Sequence, residues 1–249
     1  MQHQNNTNDS DGHIGKDPRR SRHNEGLKIW SLNVRSLNTE GRIQELEEEA
    51  KGNEEGILLI QETWRNQARE RLNIGNWKLY GTGCTIRPRG NGTAIMIHNT
   101  IKVDSCHHID PTITAIRIPY GKQHLFIVSA YAPVHQGNKN ALKTERFYAK
   151  LTTATTEARN KGDVVIIGGD MNAHIKQSSA QKLVGKWDSK KGGGHGDELI
   201  AFMTEQRMAA IKTCKQTQRI KRDTWSRGSR KSMTDLFLCP EYMLRWQHR

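Results

Sequence analysis

The chain holds 249 residues, enough for one large α/β domain with a substantial core. Its formal net charge of +13, from 39 Lys and Arg against 26 Asp and Glu, favours polyanions as partners, nucleic acid ahead of a membrane surface. Four scattered cysteines (Cys84, Cys106, Cys214, Cys239) form no C-x-x-C pair, and no apolar run approaches the roughly 18 residues of a membrane span, so neither a cysteine zinc site, nor a disulfide framework, nor a membrane protein is indicated.

Residues Met1 to Gly26 are almost wholly polar and carry too little apolar surface to fold, which predicts a disordered leader. Its cluster Arg19-Arg20-Ser21-Arg22 reads either as a nuclear-localisation or phosphate-contacting patch or as a solvated charge run. With no apolar signal segment, the expected location is nuclear or cytoplasmic and not secreted. Residues 27–249 form the expected single domain. In it, the short apolar runs Lys28 to Asn33, Ile57 to Gln61, Ala94 to His98, Ile113 to Ile118, Leu125 to Ala130 and Val164 to Gly168 read as strands.

Helical spacing fills some of the gaps. Ile43, Leu46 and Ala50 share a face behind the candidate caps Asn38 and Thr39, and Phe147, Tyr148, Leu151, Ala154 and Ala158 mark a longer amphipathic helix. A third helix begins near Asp197 with Leu199, Ile200 and Met203, and Gly192 to Gly196 before it is expected to be a flexible loop. The strands between Ala94 and Ala130 have no helices among them, which predicts hairpins. Hairpins together with crossover helices give an α/β fold with two mixed sheets packed face to face.

Several of these strands end in polar residues: Asn33, Glu62, Tyr131 ahead of Ala132-Pro133, and the pair Asp170 and Asn172. Residues two apart in an extended segment point the same way, so Asp170 and Asn172 can reach one ligand, and sites in α/β sheets lie beyond strand ends. Each residue also has an ordinary reading. A strand-end Asn caps, a strand-end Glu is solvated, a Tyr before Ala-Pro packs, and Asp170 with Asn172 closes a strand as an Asx turn.

Taken in order, Leu32-Asn33-Val34-Arg35-Ser36-Leu37, Gln61-Glu62-Thr63-Trp64, Ser129-Ala130-Tyr131-Ala132-Pro133 and Gly169-Asp170-Met171-Asn172-Ala173-His174 resemble the successive signatures of the endonuclease/exonuclease/phosphatase (DNase I-like) superfamily. Within it, the Asn-Val-Arg-Ser-Leu opening, the strand Gly92 to Ile97 and Thr224-Trp225 look most like endonuclease domains of non-LTR (LINE-type) retrotransposons. The resemblance implies a four-layered α/β sandwich and metal-dependent phosphodiester cleavage. Glu62 then offers its carboxylate to Mg²⁺, with Mn²⁺ as a substitute, and Asn33 fixes a metal-bound water or a phosphate oxygen. Asp170 orients or deprotonates the attacking water, the Asn172 amide donates to a phosphate oxygen, and Tyr131 holds the phosphate, assisting proton transfer if the cation lowers its pKa.

Ser232 to Leu238 resembles the family's Ile-Asp-Tyr strand in part, with Asp235 at the aspartate position. That aspartate orients the histidine of a final Ser-Asp-His motif, which this sequence lacks, and His248 does not stand in that context. The chain is therefore expected to be a fragment of a longer reading frame or a decayed copy. Two further expectations follow: activity lower by about 10² to 10⁴ for want of one acid/base group, and an unpaired sheet edge at Leu236 to Cys239 where the final strand is missing.

Basic residues supply the substrate argument. Lys212, Lys215, Arg219, Lys221, Arg222, Arg227, Arg230 and Lys231 crowd around Trp225, and Arg87 and Arg89 form a second patch; both read as DNA-phosphate contacts or as ordinary solvated charge. The expected function is a DNA endonuclease that nicks a retrotransposition target, partnered by DNA and by a reverse transcriptase domain of the same polyprotein. The alternatives are an inactive nucleic-acid-binding remnant and a phosphatase of the same superfamily.

Overall fold

The computed structural model describes residues 27–52, 56–86, 89–134, 140–175, 183–184, 193–211, 225–227, 230–232 and 235–244. The leader expected over residues 1–26 lies outside them. In chain order the elements are β1 (Lys28–Asn33), α1 (Arg42–Ala50), β2 (Gly56–Gln61), β3 (Glu70–Ile74), β4 (Trp77–Thr82), β5 (Thr93–His98), β6 (Ser105–Asp110), β7 (Ile113–Tyr120) and β8 (Gln123–Tyr131). There follow α2 (Ala141–Asn160), β9 (Val164–Asp170), β10 (Ala173–His174), β11 (Gly193–Gly194), α3 (Gly196–Glu205), β12 (Met208–Ala210), β13 (Trp225–Arg227), β14 (Arg230–Ser232), β15 (Asp235–Pro240) and α4 (Glu241–Leu244).

Two large sheets result, one in the order β1-β2-β5-β4-β3 and the other β12-β15-β9-β8-β7-β6. Each has one parallel pair, β1 with β2 and β8 with β9, and all other pairs are antiparallel. Both parallel pairs are joined through a helix, because a parallel return needs a crossover. α1 makes the first crossover and α2 the second.

Residue alternation assigns the two faces of each central strand to different cores. Ile57, Leu59, Ile95 and Ile97 of the first sheet meet Ile116, Ile118, Ile127 and Ile166 of the second in one buried cluster. The opposite faces pack on helices: Leu58, Ile60 and Met96 under Leu46 and Ala50 of α1, and Val128, Val165 and Ile167 under Leu151, Leu199 and Phe202 of α2 and α3. The layers run helix, sheet, sheet, helices, the four-layered α/β sandwich expected. Full burial of one such Leu or Ile contributes about 1.5–3 kcal/mol.

Polar groups also cross between the sheets. Gln61 is fully buried; its Oε1 accepts from Ser31 Oγ at 3.0 Å, and its Nε2 donates to Ser129 Oγ at 3.1 Å. Ser129 Oγ in turn donates to the Ile60 carbonyl at 3.0 Å. A second bridge joins Thr114 of β7 to Thr82 and Thr93 of β4 and β5 through hydroxyl contacts of 2.7 and 2.8 Å.

Several expectations need correction. Gly193 and Gly194 are not loop but pair with His174 and Ala173, and helix α3 starts directly after His195. The α1 N-cap is Gly41 at φ +84°, not Asn38 or Thr39, and the Asn38 amide instead donates to the Trp64 carbonyl. Leu238 and Cys239 are not an unpaired edge, since β12 pairs with β15 from Leu238 to Pro240. β3, β4, β6 and β12 were not anticipated.

Replacing Ser129 by Ala leaves the Gln61 amide unpaired in the core, so an unfolding midpoint in urea should report a loss of about 1–3 kcal/mol. Thr153→Ala, on the exposed surface of α2, should stay within about 0.5 kcal/mol of wild type. Equal effects would remove the inter-sheet bridge as a source of stability.

Candidate active site

The residues singled out at the strand ends meet at one rim of the sandwich. Ile29, Ser31 and Asn33 of β1 alternate onto the inter-sheet side, as do Ile127, Ser129 and Tyr131 of β8, Ile166, Gly168 and Asp170 of β9, and Cys239, Phe237 and Asp235 of β15. Register then places Asp170 directly between Tyr131 and Asp235 on neighbouring strands. β1, β2, β8 and β9 end at this rim while β15, running the other way, starts there.

Glu62 comes from the facing sheet, immediately after the buried Gln61. Its Oε1 accepts from Asn33 Nδ2 at 2.8 Å and from the Tyr131 hydroxyl at 3.1 Å, and its Oε2 accepts from Trp64 Nε1 at 3.3 Å. The Asn33 Oδ1 accepts the Arg35 backbone N–H at 3.3 Å. Glu62, Tyr131 and Asp170 thus belong to one constellation although they lie on two sheets. Trp64 was not foreseen as a partner of Glu62; its position two residues on was the available signal.

Tyr131 is buried, and its pKa is driven well above the ordinary phenol value. Burial is the main cause, followed by the Glu62 charge, the hydrogen bond to it and the Asp170 charge, with Asn172 opposing. The fold by itself therefore keeps the phenol protonated, the reverse of the lowering that would make it a proton carrier.

Asp170 and Asn172 do not share an extended face. β9 stops at Asp170, Asn172 turns to φ +44°, and its backbone N–H donates to Asp170 Oδ1 at 3.0 Å, an Asx turn. The Asn172 side chain donates to the Ala132 carbonyl at 2.8 Å, clamping the ends of β8 and β9 together. Gly169, at φ +144°, leaves no room for a Cβ, which would stand 1.9 Å from the Ala130 carbonyl.

Of the basic residues, Arg89 lies beside the site: its guanidinium sits 5.6 Å over the Trp64 ring. Its loop is fastened there by Trp64 N–H to the Asn91 carbonyl at 2.9 Å and Thr63 N–H to the Gly92 carbonyl at 3.1 Å. Trp225, Arg227 and Arg230 fall in a separate two-stranded sheet of β13 and β14. Arg87 and Arg222 lie outside the described residues.

The donor set suits a hard cation. Glu62 supplies carboxylate oxygens already oriented by three donors, a carboxylate has about four lone-pair sites, and an amide oxygen stands next to it. Among the described residues no group of three or more His, Cys, Asp or Glu side chains could hold a metal. Mg²⁺ needs none, since it binds through one or two carboxylates and keeps waters and phosphate oxygens in its other positions.

The profile of the Endonuclease/Exonuclease/phosphatase family matches residues 30–227. Craniofacial development protein 2 of Bos taurus is 25% identical over 224 residues, 88% of this chain and 36% of that protein; the Tragulus javanicus protein of the same name is 24% identical, with 88% and 37% covered. The chain thus spans about a third of the length of the curated relatives it matches. Among solved structures, the endonuclease domain of TRAS1, a telomere-specific non-LTR retrotransposon, superposes with a TM-score of 0.58 at 18% identity, covering 88% of each chain. The Xenopus laevis APE2 catalytic domain gives 0.65 at 15%, covering 87% of this chain and 83% of that one. At these identities the structural likeness is one of fold. With the profile spanning β1 to β13 and two mixed sheets beneath it, the chain belongs to the endonuclease/exonuclease/phosphatase family, a family of nucleases and phosphatases.

Proposed function

We propose that this domain is a metal-dependent DNA endonuclease of the kind non-LTR retrotransposons use to nick their targets. The observation that carries the reading is the joining of Glu62 to Tyr131 and Asn33 across the two sheets, with Asp170 in register beside Tyr131. Glu62 and Asn33 would hold Mg²⁺ or Mn²⁺, which when bound offsets the charge of the phosphate and of the departing alkoxide. Asp170, between Tyr131 and Asp235, accepts the proton of the attacking water. Tyr131 stays protonated, and its one hydroxyl hydrogen, held by Glu62 Oε1 in the free protein, would turn to a phosphate oxygen when substrate binds. Asn172 donates one amide hydrogen to Ala132, and the second, which faces the Tyr131 hydroxyl, would turn to the phosphate when it binds.

Asp235 would orient the histidine that the family resemblance calls for, although this sequence offers no Ser-Asp-His motif to supply it. A DNA nick leaving a 3′-hydroxyl would prime a reverse transcriptase carried by the same polyprotein. DNA is the favoured substrate because of the +13 charge.

Relaxation of supercoiled plasmid, followed at high enzyme concentration, should depend on Mg²⁺, stop with a chelator, and fall by about 10² to 10⁴ in Asp170→Asn. Salt-dependent DNA binding with no metal-dependent nicking would favour the binding remnant, and release of phosphate from monoesters alone would favour the phosphatase.

The phenol gives a second test. Its folded pKa lies above the unfolded one, so its contribution to stability is full below about pH 10 and is lost as pH rises past that value. The tyrosinate absorbance difference between wild type and Tyr131→Phe should therefore be absent through about pH 10. A Tyr131 signal at or below that pH would end its assignment as a neutral donor.

A further inference from the structure

We infer that the strand being cut is held, beyond the scissile phosphate, in a groove between Tyr131 and helix α2, where Lys143 and Arg146 contact successive phosphates. The inference rests on the endonuclease reading and adds the surface on which the nucleic acid lies. A groove of about 380 Å³ is lined by Tyr131 and Pro133 at the active-site end, Asn91 of the Arg89 loop, and Lys143, Arg146 and Lys150 of α2.

Spacing of three and four residues puts these three cations on one side of the helix. They are not equivalent. Lys150 is ion-paired with Asp110, while among the described residues no carboxylate lies within ion-pair distance of Lys143 or Arg146. Both are exposed, so their charge is available to a ligand. Glu145 falls on another side, in a separate groove with Glu198 and Glu205 of α3. In the first two turns of α2 charge is thus divided, Lys143 and Arg146 toward the active site and Glu145 toward α3, while farther along Glu157 shares a groove with Lys150.

The groove is also fixed in place. Asn140, just before α2, donates its side-chain N–H to the Val134 carbonyl at 2.9 Å, and Asn172 holds Ala132. These bonds hold Val134 to the start of α2 and Ala132 to the end of β9. The cations lie along the groove that leads away from Tyr131, and a polyanion with regularly repeated phosphates is the ligand whose charges continue along such a row. A small phosphate ester would end before reaching it.

The test compares wild type with Lys143→Ala/Arg146→Ala and with Lys28→Ala/Lys122→Ala, a charge-matched control at the opposite ends of β1 and β8. Binding of a labelled DNA duplex is read by anisotropy in chelator across a salt series, and hydrolysis of bis(p-nitrophenyl) phosphate is read with Mg²⁺. Loss of the two α2 cations should lower the slope of log affinity against log salt by about 0.9 per lost contact and leave the small-ester rate unchanged. The control should leave the slope as it is. An unchanged slope in the α2 variant, an equal change in the control, or a matching fall in small-ester hydrolysis would overturn the groove. If wild type itself neither binds DNA with salt dependence nor nicks it, the endonuclease reading fails instead.

Discussion

The Gln61 amide, buried between the sheets, accepts from Ser31 on β1 and donates to Ser129 on β8, and Ser129 returns a hydrogen bond to Ile60 on β2. These three strands are the ones that deliver Asn33, Glu62 and Tyr131. The surrounding Ile and Leu contacts are non-directional and would accept one sheet sliding over the other. Hydrogen bonds between fully buried groups would not, because a slip leaves each partner without a mate at a cost of about 1–3 kcal/mol. The bridge therefore does for the two sheets what strand register does within one: it decides which residue of β2 faces which residue of β8. Glu62 is the next residue after the bridge, so its position follows.

Holding the carboxylate there also carries a conformational cost. Among the described residues six non-glycine positions have positive φ, and five of them, Arg35, Ser36, Glu62, Trp64 and Asn172, lie in the loops that leave β1, β2 and β9 at this rim. Each such residue costs on the order of 1–3 kcal/mol and persists only where its neighbours over-determine it. The neighbours are visible. Ser36 and Leu37 donate backbone N–H groups to the carbonyls of Glu62 and Thr63 at 2.8 and 2.9 Å, the Gly92 carbonyl takes the Thr63 N–H, and Glu62's side chain accepts from Asn33, Tyr131 and Trp64. A carboxylate fixed by donors from three separate segments is preorganised for a cation, with little reorientation left to make.

What the sequence revealed and what it hid divide along the same physical line. The rim was legible at Asn33, Glu62, Tyr131 and Asp170 because each ends a mainly apolar run, broken only by Ser31, Gln61 and Ser129, and such a strand that ends in a polar residue has few other uses. β3 was hidden because Glu70-Arg71-Leu72-Asn73 reads as solvated surface; Glu70 is in fact buried and bound by the Arg65 guanidinium, a pairing between positions five apart that no periodicity count detects. Gly75-Asn76, the two-residue turn with Gly75 at φ +52°, was the overlooked sign of that hairpin. β6 escaped notice because Cys106, His107, His108 and Ile109 do not alternate, and all are half-buried beside β7. Asn172 was placed on the wrong face because a spacing of two has meaning only while the chain stays extended, and it stops at Asp170.

The net charge of +13 cannot by itself explain how a phosphate approaches a rim built from Glu62, Asp170 and Asp235. Exposed charges farther away than about 8–10 Å are largely screened at physiological ionic strength, so positive charge spread over the rest of the surface does little at the rim. Cations are needed at the rim, where screening is incomplete. Arg89 over Trp64 provides one on the Glu62 side, and Lys143 and Arg146 share a groove with Tyr131 on the other. In the proposed reaction the carboxylates would hold the metal and Arg89 would stand beside its anionic ligand, while Lys143 and Arg146 would meet phosphates farther along the strand. Trp64 touches both Arg89 and Glu62 and so joins the first two.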